Sequence, residues 1–131
     1  MAGFYDRTIY EAHQKGQKVL LALGGWTDSG TDKYSRMVGN SAARRRFVKA
    51  AVTFLIHYGF DGLSLDWHYP VCWQANCNRP KAASDREGFT KLVKELKSAF
   101  KAKGNLILAA SLAGHKAIAQ KAYDIPQISK V

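Results

Sequence analysis

The sequence has few acidic residues, few cysteines and no long apolar run. Its 131 residues include 20 Lys and Arg against 10 Asp and Glu, a formal net charge of +10. No apolar run reaches the ~20 residues that a membrane-spanning helix needs. Residues 1–15 also lack the apolar core of a signal peptide. The remaining composition is typical of an ordinary globular protein, so we predict no membrane partner.

The basic excess raises the question of an anionic partner such as nucleic acid. Four lysines follow one face of a predicted helix: Lys91, Lys94, Lys97 and Lys101. Glu87 and Glu95 lie among them at spacings of four, where they can form ion pairs. Because no nucleic-acid-binding motif accompanies these charges, we interpret them as outward helix faces and predict no nucleic-acid partner.

The only two cysteines, Cys72 and Cys77, lie close together in a predicted loop. A disulfide across so short a loop would contribute less than the ~3 kcal/mol expected for a 15-residue loop. A zinc site would need further ligands, and no histidine stands beside the pair. The sequence therefore predicts no metal site and leaves a disulfide and free thiols open.

Helices and apolar strands alternate along the chain. Strands are predicted near residues 18–25, 61–68 and 106–111. Helices are predicted over 4–15, over about 41–58 and from a capping box at residues 84–87 to about 103, with a short one at Pro126. Residues 27–39, 71–83 and 112–122 are predicted loops. This order predicts one α/β unit over residues 1–131, with about three consecutive parallel βα units.

The stretch Gly59 to Pro70, GFDGLSLDWHYP, carries the candidate site. Strand side chains alternate between two faces, so Ser64, Asp66 and His68 share one face. Polar groups buried without partners are costly, and the carboxyl ends of parallel strands are where ligands bind. We therefore expect Asp66 to form a hydrogen bond with Ser64 or His68, beside a ligand site.

This stretch resembles the signature strand of the family 18 glycoside hydrolases, D-G-x-D-x-D-W-E-Y-P. Six positions match: Asp61, Gly62, Asp66, Trp67, Tyr69 and Pro70. Ser64 stands at the middle Asp, and His68 stands at the catalytic Glu. Similarly, Gly24-Gly25-Trp26 resembles the family's S-x-G-G-W strand end. The resemblance implies a fragment of a TIM (β/α)8 barrel, since a whole barrel typically needs ~250 residues.

The resemblance also implies cleavage of the β-1,4 links of chitin, without a cofactor. In that chemistry the Glu protonates the leaving oxygen and the middle Asp holds the substrate's acetamido group. An imidazolium at His68 would oppose the cationic sugar that a carboxylate stabilises. We therefore predict a catalytically inactive chitinase-like segment, with no confident catalytic residue among the motif positions Asp61, Ser64, Asp66 and His68.

Weak binding of chitin oligosaccharides is predicted through Trp26, Asp66, His68 and Tyr69. Two alternatives stay open: an active chitinase, and a structural or interaction fragment that self-associates through open sheet edges. The resemblance points to an extracellular protein, where a Cys72–Cys77 disulfide would persist.

Individual residues carry further expectations. Asp61 is predicted to be structural and to accept backbone N–H groups, and Trp67 is predicted to be core. Trp26 is equally consistent with sugar stacking and plain packing, and Trp73 is interpreted as a loop anchor or a rim aromatic.

Overall fold

A computed structural model describes residues 2–78 and 82–131. Three strands are present: β1 (Leu20–Gly24), β2 (Gly62–Asp66) and β3 (Ile107–Ala110). The helices are α1 (Ala2–Gln14), α2 (Lys33–Val38), α3 (Ser41–Tyr58), α4 (Asp85–Ala102), α5 (Lys116–Ala122) and α6 (Ile125–Ile128). The predicted strands and long helices are therefore confirmed, with ends shifted by a few residues.

The three strands form one parallel sheet in the order β1-β2-β3. Helices after β1 and after β2 return the chain to the next parallel strand, and α5 and α6 follow β3, which confirms the predicted βα units. Gly62 pairs with Leu20 on one side and Ile107 on the other. A Cβ atom at Gly62 would overlap the backbone of Ile107, so this close approach of β2 to β3 requires glycine.

The core lies between the sheet and α4. On β2, Leu63 and Leu65 are buried, while Trp67 packs near Tyr34 and Phe89 just beyond the strand. The buried apolar face of α4 consists of Phe89, Leu92, Val93, Leu96 and Phe100. These are the residues that helical periodicity predicts, and the prediction that Trp67 is core is also confirmed.

The ends of α3 follow the predicted capping chemistry. The Asn40 side chain accepts a hydrogen bond from the backbone N–H of Ala43 at 2.9 Å. Gly59 takes a left-handed conformation at φ 76° and ends the helix. Helical periodicity would place Phe54 on the buried face of α3 with Leu55, but Phe54 is 37% exposed, while Val52 and Leu55 face the core.

The capping box predicted at residues 84–87 gives the correct start of α4 but the wrong contact. Ser84 makes no side-chain capping hydrogen bond. Instead Asp85, the first helical residue, is fully buried and accepts hydrogen bonds from other segments. The start of α4 is therefore held by tertiary hydrogen bonds to Asp85, whereas the spacing of residues 84–87 suggests local capping by Ser84.

Two short helices lie in segments predicted as loops. The helix α2 falls within residues 27–39, where Tyr34 and Val38 are buried and the Tyr34 hydroxyl donates to Asp28. The helix α5 precedes Tyr123, which is also buried. Both are too short for a clear periodicity and depend on tertiary contacts. Residues 79–81 of the loop predicted over 71–83 lie outside the described residues.

Candidate functional site

The carboxyl ends of β1 and β2 lie directly against each other. Gly24 pairs with Asp66, and the N–H of Gly25 donates to the Asp66 carbonyl at 2.7 Å. At φ 116°, a Cβ atom on Gly24 would overlap that same carbonyl. The contact places the Trp26 and His68 rings edge to face, with centroids 5.7 Å apart.

His68 is held by Asp66 in a way that hides both ring nitrogens. Its Nε2 lies 2.8 Å from Asp66 Oδ1. Since an ionised carboxylate only accepts, a neutral ring in this contact would donate its Nε2–H to Asp66 and carry its lone pair on Nδ1. That Nδ1 atom is buried and has no hydrogen-bond partner among the described residues. The predicted hydrogen bond of Asp66 is therefore confirmed, with His68 as the partner.

Ser29 supports this arrangement from the loop after β1. It is fully buried, and its Oγ accepts the backbone N–H of His68 at 2.9 Å. Its own N–H donates to the Gly25 carbonyl at 2.9 Å. Sequence reasoning did not single out Ser29, because a serine in a polar loop gives no signal of burial.

The Cys72–Cys77 loop covers the same strand end. The two cysteines form a disulfide, which resolves the alternative that the sequence left open. Within this loop Gln74 donates its backbone N–H to the His68 carbonyl and its side-chain Nε2–H to the Trp26 carbonyl, at 3.0 and 3.2 Å. The disulfide-closed loop thus ties the backbones of Trp26 and His68 together.

Asp85, the first residue of α4, connects the start of the disulfide loop to that helix. Its buried Oδ2 accepts the Val71 backbone N–H at 3.0 Å and the Ser35 hydroxyl at 2.8 Å. Sequence reasoning placed Asp85 only within the capping box of residues 84–87 and did not identify this positioning role.

Ser64 lies on β2 two residues before Asp66, between two alanines of the neighbouring strands. Its register partners are Ala22 on β1 and Ala109 on β3. The row of small residues carries no carboxylate. The ring centroid of Tyr69 lies 4.9 Å from that of His68. The peptide bond between these two residues is cis.

The three tryptophans occupy different environments. Trp26 is 53% exposed at the end of β1, whereas Trp67 is only 6% exposed. Trp73 pairs with Asn76 through backbone hydrogen bonds in both directions. Its Nε1 packs close to Gly30, 3.5 Å from where a Cβ atom on that glycine would lie. Trp26 is therefore the tryptophan that presents most of its surface beside His68.

Asp61 lies at the opposite, amino end of β2, away from His68. Its Oδ2 accepts the backbone N–H of Val19 at 2.7 Å and lies 2.8 Å from His13 Nε2, while Lys18 approaches Oδ1 at 3.6 Å. Burial raises the pKa of Asp61, but these hydrogen bonds and charges outweigh it and leave the pKa below its ordinary value. The predicted acceptance of a backbone N–H is confirmed.

Parallel βα units with polar groups at the carboxyl ends of the strands are the arrangement of α/β proteins that bind ligands at that edge of the sheet. The family model described as "Glycosyl hydrolases family 18" matches residues 5–131. The chain therefore belongs to the glycosyl hydrolases of family 18.

Several relatives are similar over nearly the whole chain. "Probable chitinase 10" of Drosophila melanogaster is 49% identical over 127 residues, which are 97% of this chain and 5% of that protein. A mutant of the Ostrinia furnacalis Group II chitinase catalytic domain 2, in complex with penta-N-acetylchitooctaose, superposes with a TM-score of 0.90 at 49% identity. Human YKL-39, described as a pseudo-chitinase with retained chitooligosaccharide binding, gives 0.80 at 26%.

This chain is much shorter than those relatives. The Ostrinia match covers 98% of this chain and 33% of that chain, and the YKL-39 match covers 97% and 34%. The chain thus spans about a third of the solved relatives that it matches.

Within residues 2–78 and 82–131, no three His, Cys, Asp or Glu side chains are grouped to hold a metal ion. No helix of that same part is long and apolar enough to cross a membrane.

We expect Asp61→Asn to destabilise the chain by about 1–2 kcal/mol at neutral pH, because charged hydrogen bonds to Val19 and His13 weaken. A carboxyl whose folded pKa is lowered stabilises fully above its ordinary value of 3.8 and loses that contribution as pH falls through the lower folded value. Urea unfolding should therefore show a difference from wild type at about pH 7 that shrinks towards about pH 2.

The matched control is Asp6→Asn, which removes an exposed carboxylate from α1. It should change the unfolding free energy by less than about 0.5 kcal/mol. Equal stability of the two variants would contradict the structural role of Asp61.

Proposed function

We propose that this chain is a catalytically silent family 18 segment that binds chitin oligosaccharides weakly. The observation that carries the proposal is the state of His68, at the position of the family's catalytic Glu. Its Nε2 is taken up by Asp66, and its Nδ1 is buried. General acid catalysis requires a proton within hydrogen-bond reach of the leaving oxygen. Neither nitrogen of His68 offers one without breaking this arrangement.

The charge of an imidazole also opposes the chemistry. Glycoside hydrolysis passes through a cationic sugar, which a nearby carboxylate stabilises. If His68 were protonated to act as an acid, its positive charge would disfavour that cation, and a Nδ1–H at the buried position would lack an acceptor among the described residues. The substitution thus removes the acid and worsens the electrostatics.

Ser64 supports the same conclusion. The family's middle Asp would orient the substrate's acetamido group, but this position is a serine between Ala22 and Ala109. A hydroxyl carries no charge to stabilise the developing positive intermediate. Two of the groups required by substrate-assisted hydrolysis are therefore replaced.

The surface beside His68 still suits a sugar. Trp26 is 53% exposed and its ring lies against that of His68. Aromatic faces pack well on the apolar faces of neutral sugar rings, while Asp66 and Tyr69 add polar groups at the floor of the site. The description of human YKL-39 shows that, in that relative, chitooligosaccharide binding accompanies the lack of chitinase activity.

The disulfide supports an extracellular setting for this chain. Disulfides persist in oxidising compartments and are rare in the reducing cytosol. The bond between Cys72 and Cys77 closes the loop that ties Trp26 to His68. We therefore place the proposed oligosaccharide binding outside the cell.

We expect no release of reducing ends from chitotetraose by the chain between about pH 4 and pH 8, where an imidazole changes charge. His68→Glu alone should remain inactive, because Ser64 is unrepaired. The measurement is a reducing-end assay with an active chitinase as positive control. Turnover that His68→Ala abolishes would instead establish the alternative, an active chitinase.

Binding of chitotetraose should be weak, with a Kd on the order of 1 mM, because the site is open and a sugar makes few contacts. We expect Trp26→Ala to weaken it at least about tenfold by removing the stacking surface. Tyr10→Ala, which truncates an exposed aromatic on α1, is the control and should leave the Kd unchanged. The Kd is measured by chemical-shift titration, and equal losses in both variants would contradict a site at Trp26.

A second candidate function is association with another chain. Within the described residues β1 and β3 each pair with β2 alone, so each leaves one edge with unpaired backbone groups. Such edges can accept a further strand from another chain.

If the edges mediate self-association, sedimentation should show a dimer or larger species whose proportion rises with concentration. Lysine substitutions at Ala22 or Ile107, which are exposed on the edge strands, should shift the distribution towards monomer, since charged edges oppose pairing. Lys116→Glu on α5 is a control and should not. A concentration-independent monomer would reject this second function.

A further inference from the structure

A groove of about 860 Å³ runs between α3 and α4, on helix surfaces that the proposed site does not use. Its floor is aliphatic and contains Val48 and Val52 from α3 with Ala99 and Ala102 from α4. None of the residues at the strand ends lines it. Whatever binds here is independent of the proposed oligosaccharide site.

The rim of the groove is strongly basic. Arg45 and Lys49 come from α3, and Lys94 and Lys103 come from the α4 side. Among the described residues these four cations form no ion pair with a carboxylate. Their charges are therefore available to a partner.

The single acidic residue of the lining, Glu95, is already neutralised within the chain. Its carboxylate accepts hydrogen bonds from Arg44 Nε at 3.1 Å, and Arg44 also donates to the Val38 carbonyl at 2.8 Å. Arg44 is only 7% exposed, so its charge is used internally to hold α3 against α4. The field at the groove thus has one sign over an apolar floor.

We propose that this groove is an interaction surface for an acidic amphipathic helix of a partner protein. A third helix packs naturally into the groove between two others, and Ser98 with the two floor alanines lets its backbone come close. The partner's apolar stripe would cover the valines, and its flanking Asp or Glu residues would meet the basic rim. The lining runs over residues 45–53 of α3 and 94–103 on the α4 side, about 13 Å of helix, so about nine residues of a partner helix would lie in the groove.

The lining chemistry distinguishes this occupant from other ligands. Chitin is neutral and would gain nothing from four cations, and no aromatic residue lines the groove to stack on a sugar or a base. A small anion would need cations that converge on one point, whereas these stand on both helices. An acidic helix satisfies the charge and the apolar floor together.

The test uses the 131-residue chain and a fluorescent helical peptide of about 18 residues, with leucine at positions i, i+3, i+4 and i+7 and glutamate at the flanks. A scrambled peptide of identical composition lacks the apolar stripe. We expect fluorescence anisotropy to give micromolar binding of the first peptide and at least about tenfold weaker binding of the second.

Two protein variants locate the site. Lys49→Glu combined with Lys94→Glu should weaken binding at least about tenfold through charge repulsion. The matched control reverses Lys116 and Lys121 on α5, with the same change in net charge, and should stay within about twofold. Circular dichroism confirms that both variants are folded.

Three results of these binding assays would overturn the proposal, and a competition assay adds a fourth. They are no binding of the amphipathic peptide at millimolar concentration, equal binding of the scrambled peptide, and equal weakening by the two charge reversals. Heparin or single-stranded DNA that competes as strongly as the peptide would show a general polyanion surface and would also overturn it.

Discussion

The close approach of β1 to β2 at their carboxyl ends is the constraint on which the site depends. Gly24 has no space for a side chain against the Asp66 carbonyl, and the Gly25 N–H then binds that carbonyl. The direction in which each strand leaves the sheet is fixed at this point. The Trp26 and His68 rings are in contact because Gly25 and Asp66, which precede them closely in the chain, are hydrogen-bonded to each other. Ser29 and the disulfide loop stabilise this arrangement through hydrogen bonds to the backbones of His68 and Trp26.

Chemistry and architecture are separated along the signature stretch. At its amino end Asp61 binds the Val19 backbone and Gly62 allows β3 to approach, and both serve folding. At its carboxyl end Ser64 and His68 replace the groups that would protonate and position a substrate. Asp66 supplies a hydrogen-bond partner for one ring nitrogen of His68, and the other, Nδ1, is buried without one among the described residues.

The long elements were predictable from the sequence because local signals and tertiary packing agree there. At the start of α3 the Asn40 side chain caps the helix with a hydrogen bond, and at its end Gly59 takes a left-handed conformation. The spacing of apolar residues in α4 matches its buried face. Prediction failed where tertiary contacts decide. Ser29 and Asp85 are buried polar residues whose partners lie far along the chain, and the short helix α2 depends on Tyr34 contacts. Within the site, the sequence predicted that Asp66 forms a hydrogen bond with Ser64 or His68, and the structure identifies His68 as the partner.

The split between the two ends of the signature stretch bears on how such chains are recognised. Asp61, Gly62 and Trp67 are three of the positions that match the signature, and in this structure their contacts serve the fold. A lineage can therefore lose its hydrolytic groups while its fingerprint stays almost intact. Genome surveys that count chitin-degrading enzymes by this fingerprint therefore need to inspect the residue between Trp67 and Tyr69 as well.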